Sequence, residues 1–186
     1  MSGEVERLFR ADQRERENHP PAGSPEYDAL RARDAERRAR VAELLAAGEV
    51  STGADHYHAA MIFQHGETPD DIDTAHRLAR RAVDLGYRPA RWLAAASLDR
   101  WLMTLGRAQK YGTQFAPDGT RWRLWDVEPA TTDADRLAWD VPSLADQLRR
   151  AEELTRTVPQ PPMDAAPAWL TDAVRRWAAH EDEDRT

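Results

Sequence analysis

The sequence predicts a mainly α fold: a compact multi-helix domain with helical hairpins and one short β-hairpin or extended loop near residues 111–127. Three observations carry that expectation. Apolar residues recur at three- and four-residue spacing in segment after segment, as in "TAHRLARRAVDLGY". The segments are punctuated by Ser or Thr starts, first-turn prolines and glycine stops, at Ser24–Pro25, Thr68–Pro69, Gly48, Gly66, Gly86 and Gly106. Only "YGTQFAPDGTRWRLWDV" breaks the pattern, with aromatic and alternating residues on both sides of a Pro-Asp-Gly turn.

Taken in order, the first helix runs from about Glu4 to Glu17, with Val5, Leu8 and Phe9 on one side, and His19-Pro20-Pro21 stops it. A second spans about Ser24 to Ala47, its apolar positions Leu30, Val41, Leu44 and Leu45 lying mainly in the C-terminal half. "STGADHYHAAMIFQHG" gives a third, with N-cap candidates between Ser51 and Asp55. The next two, Thr68 to Gly86 and about Arg88 to Gly106, form an antiparallel pair joined by "GYRP". That pair resembles the small-residue hairpins of tetratricopeptide-like and Sel1-like repeats over about 50 residues, with no second copy at a fixed period. Helix returns over about Ser143 to Arg156. The chain thus reads as a helical domain over 1–157, then a proline-rich linker and an amphipathic C-terminal helix with an acidic tail over 158–186. The last helix, about Ala168 to His180, gathers Trp169, Leu170, Ala173, Val174 and Trp177 on one face. That face must be covered, by docking on the chain's own domain or by a second copy.

Composition narrows the functions. With 186 residues, 41% hydrophobic and 32% charged, the chain can bury a core beneath a heavily charged surface. It has no cysteine, which excludes thiolate nucleophiles and Cys-bound zinc. A net charge of −7, with acids interleaved among arginines, argues against nucleic acid as partner. No apolar run reaches the roughly 20 residues a membrane span needs, and the first residues lack a secretory apolar core. The expectation is a cytoplasmic protein with no membrane partner. No phosphate-loop, dinucleotide or nucleophile-elbow pattern is present, His56 and His58 point to different helix faces, and no metal or cofactor is implied.

The candidate site comes from helical geometry. Positions 92, 96, 99 and 103 form one stripe, which sets Asp99 among Trp92, Ala96 and Met103 on the face the helix should bury. A buried carboxylate needs donors from outside its own turn, because Arg100 points about 100° away. The side-chain amides of Gln109 and Gln114, the Tyr111 phenol or a histidine could supply them, with Gly112 letting the loop backbone approach closely. The third helix places Asp55, His58, Ile62 and His65 on one side, with Gln64 beside His65 at its end. Asp12, Gln13 and Arg16 lie on a first helix otherwise short of apolar residues. His65 and Asp99 are the expected proton-transfer groups; Arg16 and Arg100 would hold an anion, with Gln64, Gln109, Tyr111, Thr113 and Gln114 orienting the substrate.

"DQRER", "HAAMIFQHG", "LDRWLMTLGRAQKYGTQ" and "PSLADQL" together resemble a bacterial family of unknown function. That family is marked by D-Q-x-x-R, a Q-H pair, D-R and Q-x-Y-G-T-Q, over roughly residues 4–150. The resemblance implies a shared fold and site and brings no established reaction. Three functions stay open. One is acid/base chemistry, hydrolase-like or similar, on a small polar molecule or peptide. The second is a non-catalytic small-ligand or peptide-binding module. The third is a helical scaffold whose polar network is structural. Whether the protein is an enzyme is undecided at this level.

Overall fold

The computed structural model describes residues 3–21, 23–164 and 166–183, and over these the protein is mainly α. The chain divides into two compact units, Met1–Ser97 and Leu98–Thr186. The division falls inside a helix and not at the proline-rich stretch near 158, which runs within the second unit.

The first unit holds α1 (Glu4–Arg16), α2 (Pro25–Ala46), α3 (Gly53–Gln64), α4 (Pro69–Asp84) and the start of α5 (Ala90–Thr104). Local signals set the helix starts. Ser24 accepts a hydrogen bond from the Tyr27 amide, and Thr52 with Asp55 and Thr68 with Asp71 form reciprocal capping boxes. The core combines Leu30, Val41, Leu44, Ile62, Ile72 and Leu93 with fully buried alanines at 59, 60, 75, 79 and 82. The small side chains let α3 and α4 approach closely, and α4 buries Ile72, Ala75, Leu78, Ala79 and Ala82 along one stripe. The His76 imidazole Nδ1 hydrogen-bonds the Ala94 carbonyl at 2.9 Å, tying α4 to α5.

The second unit contains the end of α5, a hairpin of β1 (Phe115–Pro117) and β2 (Trp122–Leu124), then α6 (Asp133–Ala138), α7 (Leu144–Thr157) and α8 (Ala168–Glu183). The strands are antiparallel, Ala116 opposite Arg123. In the turn the Asp118 carboxylate accepts from the Thr120 and Arg121 amides at 2.8 Å each, and Gly119 takes φ +92. A core forms around Trp125, with Met103, Ala116, Leu170, Ala173 and Trp177 buried together. Trp169 and Trp177 meet the Trp125 ring edge-on at 5.5 and 5.4 Å. The apolar face of α8 therefore packs inside its own unit.

Three features differ from the sequence reading. The short helix α6 was not expected, although Thr132 and Asp135 form a full capping box at its start. Helix α8 continues to Glu183, so the first residues of the supposed acidic tail are helical, while 184–186 lie outside the described residues. Trp92 is 47% exposed: it shares a helical stripe with Asp99 but sits in the first turn of α5, where that face is not covered.

Candidate functional site

The predicted site residues form two polar clusters, one in each unit. In the first unit Asp12 sits on α1 with its side chain fully buried. Gln13 Nε2 donates to its Oδ2 at 2.8 Å, Arg16 Nη2 lies 3.3 Å from Oδ1, and His65 Nε2 lies 3.5 Å from Oδ2. The acid beside His65 is thus Asp12. Burial pushes the Asp12 carboxyl above the usual carboxylate range, against the opposing pull of Arg16 and Gln13. Arg16 also bonds Asp34 at 2.9 Å, and Arg37 joins Asp34 at 2.8 Å to Glu15 at 2.6 Å.

Three helices deliver these groups for local reasons. Asp12 follows Val5 by seven residues on the buried side of α1, and Arg16 is one turn further on. His65 caps the C-terminal end of α3, and the chain turns immediately at Gly66. A Cβ on Gly66 would fall 2.2 Å from the Asp71 Cβ, so the turn after His65 tolerates only glycine. Asp34 and Arg37 were missed in the sequence. The available signal was that Leu30, Asp34, Arg37, Val41 and Leu44 occupy one stripe of α2, with two charged residues where apolar ones belong.

Arg16 Nε and Nη1, Asp12 Oδ1 and Gln64 Oε1 are buried with no hydrogen-bond partner among the described residues. Such atoms cost free energy when left unmet. Their grouping on α1 and at the end of α3 marks this cluster as one with hydrogen-bonding capacity to offer. Nearby, His58 stacks on Phe9 at 4.5 Å, and burial holds its imidazole below the ordinary histidine range.

In the second unit, Asp99 receives the loop that leaves its helix. Its Oδ1 accepts from the Lys110 and Tyr111 amides at 2.7 and 2.9 Å, and its Oδ2 from the Thr113 amide and hydroxyl at 3.0 and 2.9 Å. Gly112, at φ +87, turns the backbone so that amides on both sides of it face one carboxylate. Burial pushes the Asp99 carboxyl up, and the amide and hydroxyl donors act against that rise.

The polar side chains of this loop serve its shape. Gln109 is fully buried and acts like a strand rung: its amide nitrogen donates to the Gln114 and Trp125 carbonyls at 3.0 and 2.8 Å, while its oxygen accepts from the Gln114 amide at 2.8 Å. Gln114 Nε2 in turn donates to the Thr113 hydroxyl at 3.0 Å. Tyr111 is buried, and Arg100 is half-buried beside Asp99 on α5. Arg136, also unforeseen, donates from Nε to the Tyr111 carbonyl at 2.9 Å and from Nη1 to the Thr131 carbonyl at 3.0 Å. Its signal lay in the same T-x-x-D box that starts α6.

The sequence reading joined His65 to Asp99 and the 109–114 loop in one pocket. The loop does gather on Asp99, while His65 keeps company with Asp12 and Arg16. Both Asp99 oxygens already accept loop donors. Among the described residues no group of three or more His, Asp or Glu side chains is arranged to hold a metal ion. No protein-family model matches the chain, and neither the curated proteins nor the solved structures contain a match to it.

Proposed function

We propose that the first unit carries a small-molecule site in which Asp12 and His65 act as the proton-transfer pair and Arg16 and Gln64 bind the substrate. The observation that carries this reading is a fully buried carboxylate 3.5 Å from an imidazole, beside a guanidinium with unmet donors. A carboxylate that orients a histidine makes it an effective general acid or base near neutral pH. The substrate's charge follows from what surrounds Arg16. Because its charge is already met by Asp12 and Asp34, an added anion would face two carboxylates. A neutral group with both a donor and an acceptor fits better, such as a carboxamide or a peptide end: its oxygen to Arg16, its N–H to Asp12 or Gln64.

In this reading Asp99 and residues 109–114 build a loop and do no chemistry. We also propose that the elements resembling a bacterial family of unknown function work as two pairs, D-Q-x-x-R with Q-H and D-R with Q-x-Y-G-T-Q. We propose a cytoplasmic setting as well. Among the described residues no helix is long and apolar enough to cross a membrane.

The test is a thermal-shift and NMR turnover panel of amino-acid amides, dipeptides, urea and matched carboxylates on the whole protein. Amides are expected to raise the melting temperature of the wild type. Arg16→Met should lose that response, and His65→Gln should keep binding while losing any turnover. A panel in which no compound stabilises the wild type, with Arg16→Met and His65→Gln merely less stable, would return the cluster to a purely structural role.

A further inference from the structure

The second unit has a cleft that neither polar cluster uses. It is an open groove between β2 and α7 with a volume of about 630 Å³, within the size range of small-molecule sites. Its apolar wall is Trp122, Leu124, Leu148 and Ala151. Leu148 is 51% exposed, a large apolar side chain open to the cleft and to solvent.

Most polar groups on the wall are already committed. Trp122 donates its indole N–H to the Val158 carbonyl at 3.0 Å and its amide to the Thr155 hydroxyl at 2.9 Å, and that hydroxyl donates to the Ala151 carbonyl at 2.9 Å. Arg121 and Arg123 also line the cleft, and both pair with Glu181 and Asp118, acids outside the lining. Arg156 and Glu152, one turn apart on α7, complete the wall, and neither has an ion pair among the described residues. With Arg121 and Arg123 neutralised by those acids, Arg156 is the guanidinium of the lining left to take an anion from a ligand.

We propose that this cleft binds a small amphipathic acid, with its apolar body against Trp122, Leu124 and Leu148 and its carboxylate at Arg156. Leu148 then loses its solvent exposure to the ligand, and Arg156 gains the anion it lacks.

The experiment uses the full chain and the fluorescent aromatic sulfonate 8-anilinonaphthalene-1-sulfonate, displaced by octanoate, octanol or octylamine. Octanoate is expected to displace the dye about tenfold more effectively than octanol, with octylamine weakest. Arg156→Gln should remove the preference for octanoate over octanol. Leu148→Ser, at an exposed position that leaves the fold intact by circular dichroism, should weaken dye and octanoate together. Absence of dye binding, equal displacement by octanol and octanoate, or unchanged binding in both variants would each overturn the proposal. These residues take no part in the Asp12–His65 cluster, so the result stands apart from that reading.

Discussion

Asp12 and Asp99 are both fully buried acids, and the chain meets them in opposite ways. Asp99 is surrounded by three backbone amides and the Thr113 hydroxyl, brought together by the turn at Gly112. Asp12 is met by movable side chains, Gln13, Arg16 and His65. A carboxylate held by backbone amides is a structural fastener, whereas one held by side chains can trade partners during chemistry. Asp99→Asn turns an acceptor edge into N–H groups facing amide N–H groups. It should cost about 1–3 kcal/mol of stability in chemical denaturation, with Thr113→Val costing less. An Asp99→Asn protein as stable as the wild type would show that the loop does not depend on this carboxylate. At this scale the sequence was half legible. Helical spacing placed Asp99 on the buried face and pointed to the loop beyond, but the expected side-chain donors Gln109, Gln114 and Tyr111 gave way to the Lys110, Tyr111 and Thr113 amides and the Thr113 hydroxyl. It did not reveal Asp34 or Arg37, because a charged stretch such as "RARDAERRAR" reads as a solvated face unless its two inward positions are singled out.

Elements were legible where caps and glycines mark them, since these act within a few residues. Thr52, Thr68 and Ser24 start their helices as expected, and the Pro-Asp-Gly turn closes the hairpin. The omission, α6, has only six residues and too little apolar periodicity to register, although its capping box was present in the sequence. The hairpin also carries a pH dependence. Burial alone would raise the Asp118 carboxyl, but Arg123, Thr120 and the amides of the turn outweigh it and hold it well below the usual carboxylate range. Between the unfolded value of about 3.9 and the lower folded one, the unfolded chain binds more protons, so stability rises with pH there. The contribution is complete above about pH 4 to 5 and is lost as pH falls through the folded value. Denaturation of Asp118→Asn between pH 2 and 6 should show a shallower acid slope than the wild type. An unchanged slope would place the acid sensitivity elsewhere.

At the level of the whole chain, amphipathic spacing gave the mainly α class and the inward face of α8, because burial of apolar stripes follows from helix geometry alone. It did not give the division after Ser97. That boundary runs through a helix with no break in composition, and it depends on which long-range contacts each half of the helix makes. Docking of α8 makes a prediction at this scale. Removing residues 159–186 strips Leu170, Ala173 and Trp177 from around Trp125. The truncated protein should melt at lower temperature and show a red-shifted tryptophan emission; Trp177→Ala should cost about 3–5 kcal/mol. Unchanged melting and emission after truncation would mean that α8 does not hold this core together.

The central claim is that His65 works with Asp12. It is tested most directly by following the His65 imidazole through a pH titration by NMR in the wild type and in Asp12→Asn. Removing a carboxylate 3.5 Å from Nε2 takes away a charge that favours the imidazolium. The predicted result is a His65 midpoint lower in Asp12→Asn than in the wild type, with the fold retained by amide chemical shifts. A midpoint that stays where it is in the wild type would contradict the pairing, and with it the proposed site.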